Sequence, residues 1–161
     1  MLKILFICTH NRCRSILAEA LTRHISEGRI DARSAGSQPA GVVFPGTLKY
    51  LESQNISTEG LVSQSWDEHE SFAPDVVITV CDSAAGETCP VWFGQSARVH
   101  WGLPDPSKLP TEDLQQDMFK EVGRMMQQRL TLLASTSLDE LNNKESLEAA
   151  IGRLLTPEHV S

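Results

Sequence analysis

The chain has no apolar run long enough to span a bilayer, a start that does not predict a secretory leader, no excess of basic charge, and a single tyrosine in 161 residues. The first absence excludes a membrane-spanning helix. The start, MLKILFICTH, has one lysine and a short apolar run with no small-residue cleavage site, so a cytoplasmic protein is expected. A formal net charge of -7 argues against nucleic acid as the main partner, because phosphate backbones attract basic surfaces. It leaves room for a small anion, which one buried arginine and a cluster of backbone N–H groups can hold inside an acidic protein. Internal repeats, low-complexity segments and long linkers are missing as well. The cysteines are few: Cys8, Cys13, Cys81 and Cys89. Structural disulfides are rare in cytoplasm, so these four are expected to be free thiols, metal ligands or redox groups. Zinc is disfavoured, because four residues separate one pair and seven the other, and a structural zinc site usually has pairs separated by two to four.

What is present is an ordinary globular composition, 40% hydrophobic and 22% charged, of a length that suits one domain. Leu2–Cys8 is a continuous apolar run and predicts a buried parallel strand. Ser15–Ile25 has helical spacing through Ile16, Leu17, Ala20, Leu21 and Ile25. Asp31–Ala35 predicts a short strand closed by Gly36, Gly41–Pro45 a loop, and Thr47–Gln54 a short helix. Asp75–Val80 and Ala97–Trp101 predict two further strands. Leu114–Leu133 predicts a long amphipathic helix with a face through Met118, Val122, Met125, Arg129 and Leu133. Strands alternating with helices imply an α/β three-layer sandwich around a small parallel sheet of about four strands. The expected organisation is a catalytic domain over 1–135 and a C-terminal helical extension over 136–161, with helical spacing across Leu138–Leu155.

The segment Cys8-Thr9-His10-Asn11-Arg12-Cys13-Arg14-Ser15 lies between a predicted buried strand and a predicted helix. Such a loop can curl so that successive N–H groups face an anion, and the helix N-terminus adds partial positive charge. Cys8 at the strand end is then flanked by donors and by Arg14, six residues on. These surroundings favour the thiolate, the nucleophilic form. Arg14 offers a planar fork for two oxygens of a phosphate-like ion. Ser15 is placed to hydrogen-bond the thiolate, and Asn11 to brace the loop. Cys13 reads equally as a small buried residue and as a redox group.

Asp105 lies between two prolines after a predicted strand, which stiffens the backbone around it. At the C-terminal edge of a parallel sheet it would face the same crevice as Cys8 and could protonate a leaving oxygen. A plain turn residue accounts for it equally well. Cys81 ends another strand, and the small-residue loop Ser83-Ala84-Ala85-Gly86 separates it from Cys89.

Cys8-x5-Arg14-Ser15 after an N-terminal strand, with Asp105-Pro106, resembles the low-molecular-weight protein tyrosine phosphatase fold. Val80-Cys81…Cys89-Pro90 and His100-Trp101-Gly102-x-x-Asp105-Pro106 resemble the arsenate reductases built on it, over about Leu2 to Leu133. The resemblance implies that Cys8 forms a thiol–arsenate adduct and that Arg14 and the N–H groups of loop residues Thr9, His10, Asn11, Arg12 and Cys13 cradle the oxyanion. It implies Ser15 as thiolate-stabilising hydroxyl and Asp105 as the acid. Cys81 would attack Cys8 and release arsenite, and Cys89 would carry the disulfide outward to thioredoxin. It implies no tightly bound cofactor, with phosphate and sulfate as competitors of arsenate.

Three departures qualify this. His10 stands where the family usually has a small residue. The Cys81–Cys89 separation is one residue longer than in thioredoxin-coupled members, which keeps glutathione with glutaredoxin as an alternative reductant. Some members bind potassium near the loop; Asn11, Glu19 and Ser34 match that site, but Gln64 stands at the expected aspartate, which leaves potassium open. Two other functions compete. A phosphatase of this fold typically carries tyrosines directly after the Asp-Pro, where this chain has Ser107 and Lys108, and its one tyrosine, Tyr50, is elsewhere. A non-catalytic oxyanion-binding redox sensor would use the same thiols without turnover.

Overall fold

The structure is a computed structural model; it describes residues 2–27, 29–72, 74–80, 97–101, 103 and 105–135. Four strands, β1 (Leu2–Ile7), β2 (Ile30–Ala35), β3 (Val76–Thr79) and β4 (Ala97–His100), form one parallel sheet in the order β2-β1-β3-β4. Among the described residues the helices are α1 (Arg14–Ser26), α2 (Pro45–Ser53) and α3 (Glu112–Ser135), with 3-10 turns at Trp66–Phe72 and Pro106–Lys108.

β1 pairs with β2 from Leu2↔Ile30 to Ile7↔Ala35 and with β3 from Ile4↔Val76 to Ile7↔Thr79. Successive strand residues face opposite sides of a sheet. Ile4, Leu5, Phe6 and Ile7 are nevertheless all at most 1% exposed, as are Val76, Val77 and Ile78, so both faces are covered. This is the physical content of the three-layer expectation, and it explains why these strands read as unbroken apolar runs. α1 lies against β1 and β2, and α3 packs on α1 and α2. Phe119, Val122, Met126 and Leu130, spaced three to four residues apart, form the buried stripe of α3. Tyr50 is buried in this layer, its ring stacked on Phe119 with centroids 5.6 Å apart.

The element boundaries shift by one or two residues. α2 begins at Pro45, which occupies the first turn, where a missing N–H costs nothing. The 3-10 turn Trp66–Phe72 had no predicted counterpart, because a short helix carries no periodic signal. The C-terminal extension and the Leu138–Leu155 helix lie outside the described residues, as do Cys81 and Cys89. Among the described residues no helix is long and apolar enough to cross a membrane.

In this strand order the connections leaving β1 and β3 run to opposite sides, which opens a crevice at their C-terminal ends. Cys8 follows β1 there.

Candidate active site

Cys8 is 6% exposed, and its N–H donates to Ala35 O at 3.3 Å, so it is anchored to the sheet edge. The loop carbonyls beyond it point outward to their own partners. Thr9 O accepts from Gln38 N at 2.9 Å, His10 O from Ala40 N at 2.9 Å, and Arg12 O from Phe44 N at 2.8 Å. The described peptides include no cis bond. A trans unit sends its N–H opposite to its C=O, which turns the N–H groups of His10 and Cys13 to the concave side. Cys13 is the N-cap of α1 and its side chain makes no cap hydrogen bond to the donors of that first turn.

Asn11 holds the curl. Its φ of 44° is left-handed, which Asn tolerates better than most residues. It is fully buried, donates through Nδ2 to Ser15 Oγ at 2.9 Å and accepts at Oδ1 from Gln64 N at 2.8 Å. His10 therefore does not have to supply the left-handed residue. It is exposed, with Nδ1 3.0 Å from Gln38 O. Gly36, just after β2, lies against the loop so closely that a Cβ there would be 2.4 Å from Thr9 O and 2.5 Å from Cys8 O.

Arg14 donates from Nη1 to Leu103 O at 2.8 Å, and Nη2 stands 3.5 Å from Asp105 Oδ2. Its Nε is buried with no hydrogen-bond partner, which leaves a donor for an incoming anion. Asp105 accepts at Oδ1 from Ser107 N and Ser107 Oγ, at 3.0 and 2.7 Å. A cleft of about 130 Å³ is lined by Cys8, Thr9, His10, Arg12, Cys13, Arg14, Asp105 and Lys108. Burial pushes the Cys13 thiol up to about 12, with Thr47 acting against it, so this thiol is neutral at physiological pH.

The structure thus gathers the loop residues and Asp105, which are 91 residues apart at the Arg14–Asp105 contact. Lys108, Leu103, Gly36 and Ser107 also shape the site and had not been singled out as site residues. In the sequence Gly36 showed only as a glycine closing a strand, and Ser107 and Lys108 only as the residues standing where a phosphatase of this fold has tyrosines.

The residues matched to a potassium site do not fit the ion. Glu19 is paired with Arg23 at 2.7 Å and accepts from Ser34 Oγ at 2.6 Å. Ser34 O faces Gln64 Nε2 at 3.5 Å and His69 Nε2 at 3.2 Å, and Asn11 Oδ1 is taken by Gln64 N. The oxygens already face N–H donors and a guanidinium.

Residues 3–147 match the family model for low molecular weight phosphotyrosine protein phosphatase. The chain belongs to that family. The match reaches past the Leu2 to Leu133 span of the motifs. An arsenate reductase of Halalkalibacterium halodurans is 32% identical over 134 residues, covering 83% of this chain and 95% of that protein. A solved arsenate reductase in a phosphate-binding state superposes with a TM-score of 0.70 at 27% identity, over 84% of this chain and 98% of that one. A thioredoxin-dependent arsenate reductase of Corynebacterium glutamicum gives 0.61 at 28% identity, over 78% of this chain and 58% of that one.

Proposed function

We propose that this protein reduces arsenate to arsenite, with Cys8 as nucleophile. The observation that carries the reading is one cleft lined by Cys8, Arg14 and Asp105, with the Nε of Arg14 left without a hydrogen-bond partner among the described residues. A tetrahedral oxyanion suits that donor set. The arsenate reductases among its relatives supply the substrate.

In the proposed chemistry the Cys8 thiolate attacks arsenic. An As–S bond forms, an As–O bond breaks, and the departing oxygen takes a proton from Asp105 and leaves as water. Ser15 and the loop N–H groups stabilise the charge around Cys8. Cys81 thiolate then attacks Cys8 Sγ; the S–As electron pair stays with arsenic, which leaves as arsenite, and a Cys8–Cys81 disulfide remains. Cys89 attacks Cys81, freeing Cys8, and an external dithiol returns two electrons and two protons to the Cys81–Cys89 disulfide. The thioredoxin-dependent relative makes thioredoxin the first reductant to try, with glutathione and glutaredoxin as the second.

The test supplies arsenate with thioredoxin, its reductase and NADPH, and separately with glutathione, glutaredoxin and glutathione reductase. Arsenate-dependent NADPH loss in either arm is expected. Fast aryl phosphate hydrolysis with no arsenate-dependent NADPH loss in both would hand the site to a phosphatase. Two observations favour reduction over hydrolysis: Tyr50 is stacked in the core, and Ser107 stands beside Asp105 where an aromatic slot would need tyrosine.

A further inference from the structure

We infer that Ser107 is a positioning residue that aims Asp105 for proton donation, and that Arg12 of the anion loop holds Ser107 in place. This rests on the acid role proposed above for Asp105. Arg12 Nη2 lies 3.0 Å from Ser107 Oγ, and Ser107 Oγ lies 2.7 Å from Asp105 Oδ1. The direction of this chain is fixed by chemistry. A guanidinium only donates, so Ser107 Oγ accepts from Arg12 and must send its one proton to Asp105. Ser107 N adds a second donor to the same oxygen at 3.0 Å.

The two carboxylate oxygens are therefore unequal. Oδ1 faces two donors, and a proton placed on it would oppose both. Among the described residues Oδ2 faces a single donor, Arg14 Nη2, at the long distance of 3.5 Å, so it is the less opposed oxygen for the transferable proton, on the side where an anion held by Arg14 would lie. Proton transfer is effective only when the acid is within hydrogen-bond reach in the right orientation. Pro106 limits the backbone on the far side of Asp105.

Arg12 is engaged away from the loop's own residues. Its guanidinium lies over the Phe44 ring, 5.0 Å from the centroid, with Nη2 on Ser107. A cation stacked on an aromatic face and hydrogen-bonded at its end is held in orientation. Arg12 thus joins the loop that binds the anion to the loop that carries the acid.

The experiment is a double-mutant cycle on the full chain. Ser107→Ala should lower kcat for arsenate about tenfold, a part of the 10²–10⁴ that a general acid supplies, and change KM less than about twofold. Ser107→Thr, which keeps the hydroxyl, should recover most of that loss. In an Asp105→Asn background Ser107→Ala should cost nothing further, because the group it aims is gone. An equal loss in both backgrounds, or no loss in kcat, overturns the proposal. The same variants are assayed on an aryl phosphate, so if the wild type is inactive on arsenate the reduction reading fails while the same kcat ratios on the aryl phosphate still support or overturn the role of Ser107. A crystal structure of Ser107→Ala adds a readout independent of turnover: Asp105 should leave its Arg14-facing rotamer, and an unmoved, ordered Asp105 overturns the inference.

Discussion

Gly36 and Thr9 touch through backbone alone: a Cβ on Gly36 would come within 2.4 Å of Thr9 O. Gly36 is itself pinned, donating to Gln64 O at 3.0 Å and accepting from Trp66 N at 3.1 Å. It cannot retreat, so a side chain would push the anion loop instead. Gly36→Ala should destabilise the fold by about 1–3 kcal/mol, the usual cost of overpacking, and should abolish the stabilisation by phosphate described below. Urea unfolding with and without phosphate measures both. Unchanged phosphate stabilisation in the alanine variant would show that the loop does not depend on this contact.

Cys8→Ser should remove arsenate reduction entirely, since a hydroxyl at this position neither forms the adduct nor enters a disulfide. Arg14→Lys should lower kcat/KM by about 10²-fold or more, because an ammonium cannot keep the Leu103 bond and also present Nε to the anion. Steady-state NADPH oxidation reads both. Appreciable turnover by Cys8→Ser would sink the proposed function.

Phosphate and sulfate should bind the cleft without reaction. A ligand of the native state alone stabilises it by RT ln(1 + [L]/Kd), about 2.7 kcal/mol at a hundredfold excess over Kd. The thermal midpoint should rise with phosphate in wild type and far less in Arg14→Lys. Equal shifts in the two proteins would mean that Arg14 is not the gripping group.

Much of this was legible in the sequence for identifiable reasons. β1 and β3 are buried on both faces and so show as continuous apolar runs, and α3 shows as a helix, although the face read through Met118, Val122, Met125, Arg129 and Leu133 shares only Val122 with the buried stripe Phe119, Val122, Met126 and Leu130. The loop 8–15 stood out because strand, cysteine, arginine and helix are adjacent in the chain. The partners of that loop were not legible. Arg12 meets Ser107 across 95 residues and Asn11 meets Gln64 across 53, and neither spacing follows any period. Gln64, which reads in the sequence only as a missing aspartate, works through its backbone N–H and its amide. The Trp66–Phe72 turn is set by tertiary contacts, His69 to Ser34 O and Phe72 beneath Arg33, rather than by its own propensity.

His69 gives the stability an acid-side dependence. It is 5% exposed, Nε2 is 3.2 Å from Ser34 O, and Nδ1 is buried without a partner. That pattern suits a neutral ring donating from Nε2. Burial lowers its pKa below the usual 6.5, against the hydrogen bond at Ser34 O, with Arg33 in the lowering direction and Glu68 and Asp31 opposing. The native state therefore binds this proton less readily than the unfolded chain. The stabilisation is present above about pH 6.5 and is lost as pH falls through the lowered folded value, with a slope of at most about 1.4 kcal/mol per pH unit for one proton. His69→Gln should lack this component. Denaturant unfolding of both proteins between pH 7 and 5 tests it; parallel stability curves would rule His69 out as the source.

Arg23 and potassium make opposite demands on Glu19. The carboxylate is 4% exposed, and burial raises its pKa, against the Ser34 hydrogen bond and the Arg23 charge. A buried carboxylate needs a cation, and Arg23, tethered one helical turn away, already supplies one at 2.7 Å. At constant ionic strength, exchanging sodium for potassium should therefore leave the wild-type thermal midpoint unchanged. Arg23→Met should destabilise the protein by about 1–2 kcal/mol. The loss of a buried pair is discounted here because the Arg23 side chain is 42% exposed and partly screened. That variant leaves the Glu19 carboxylate without its counter-charge, while Ser34 O and Asn11 Oδ1 keep their N–H donors, so a potassium-dependent rise in midpoint should appear in it through Glu19 alone. A potassium response already present in wild type, and no larger in Arg23→Met, would show that the ion enters despite the guanidinium and that Gln64 is no obstacle to it.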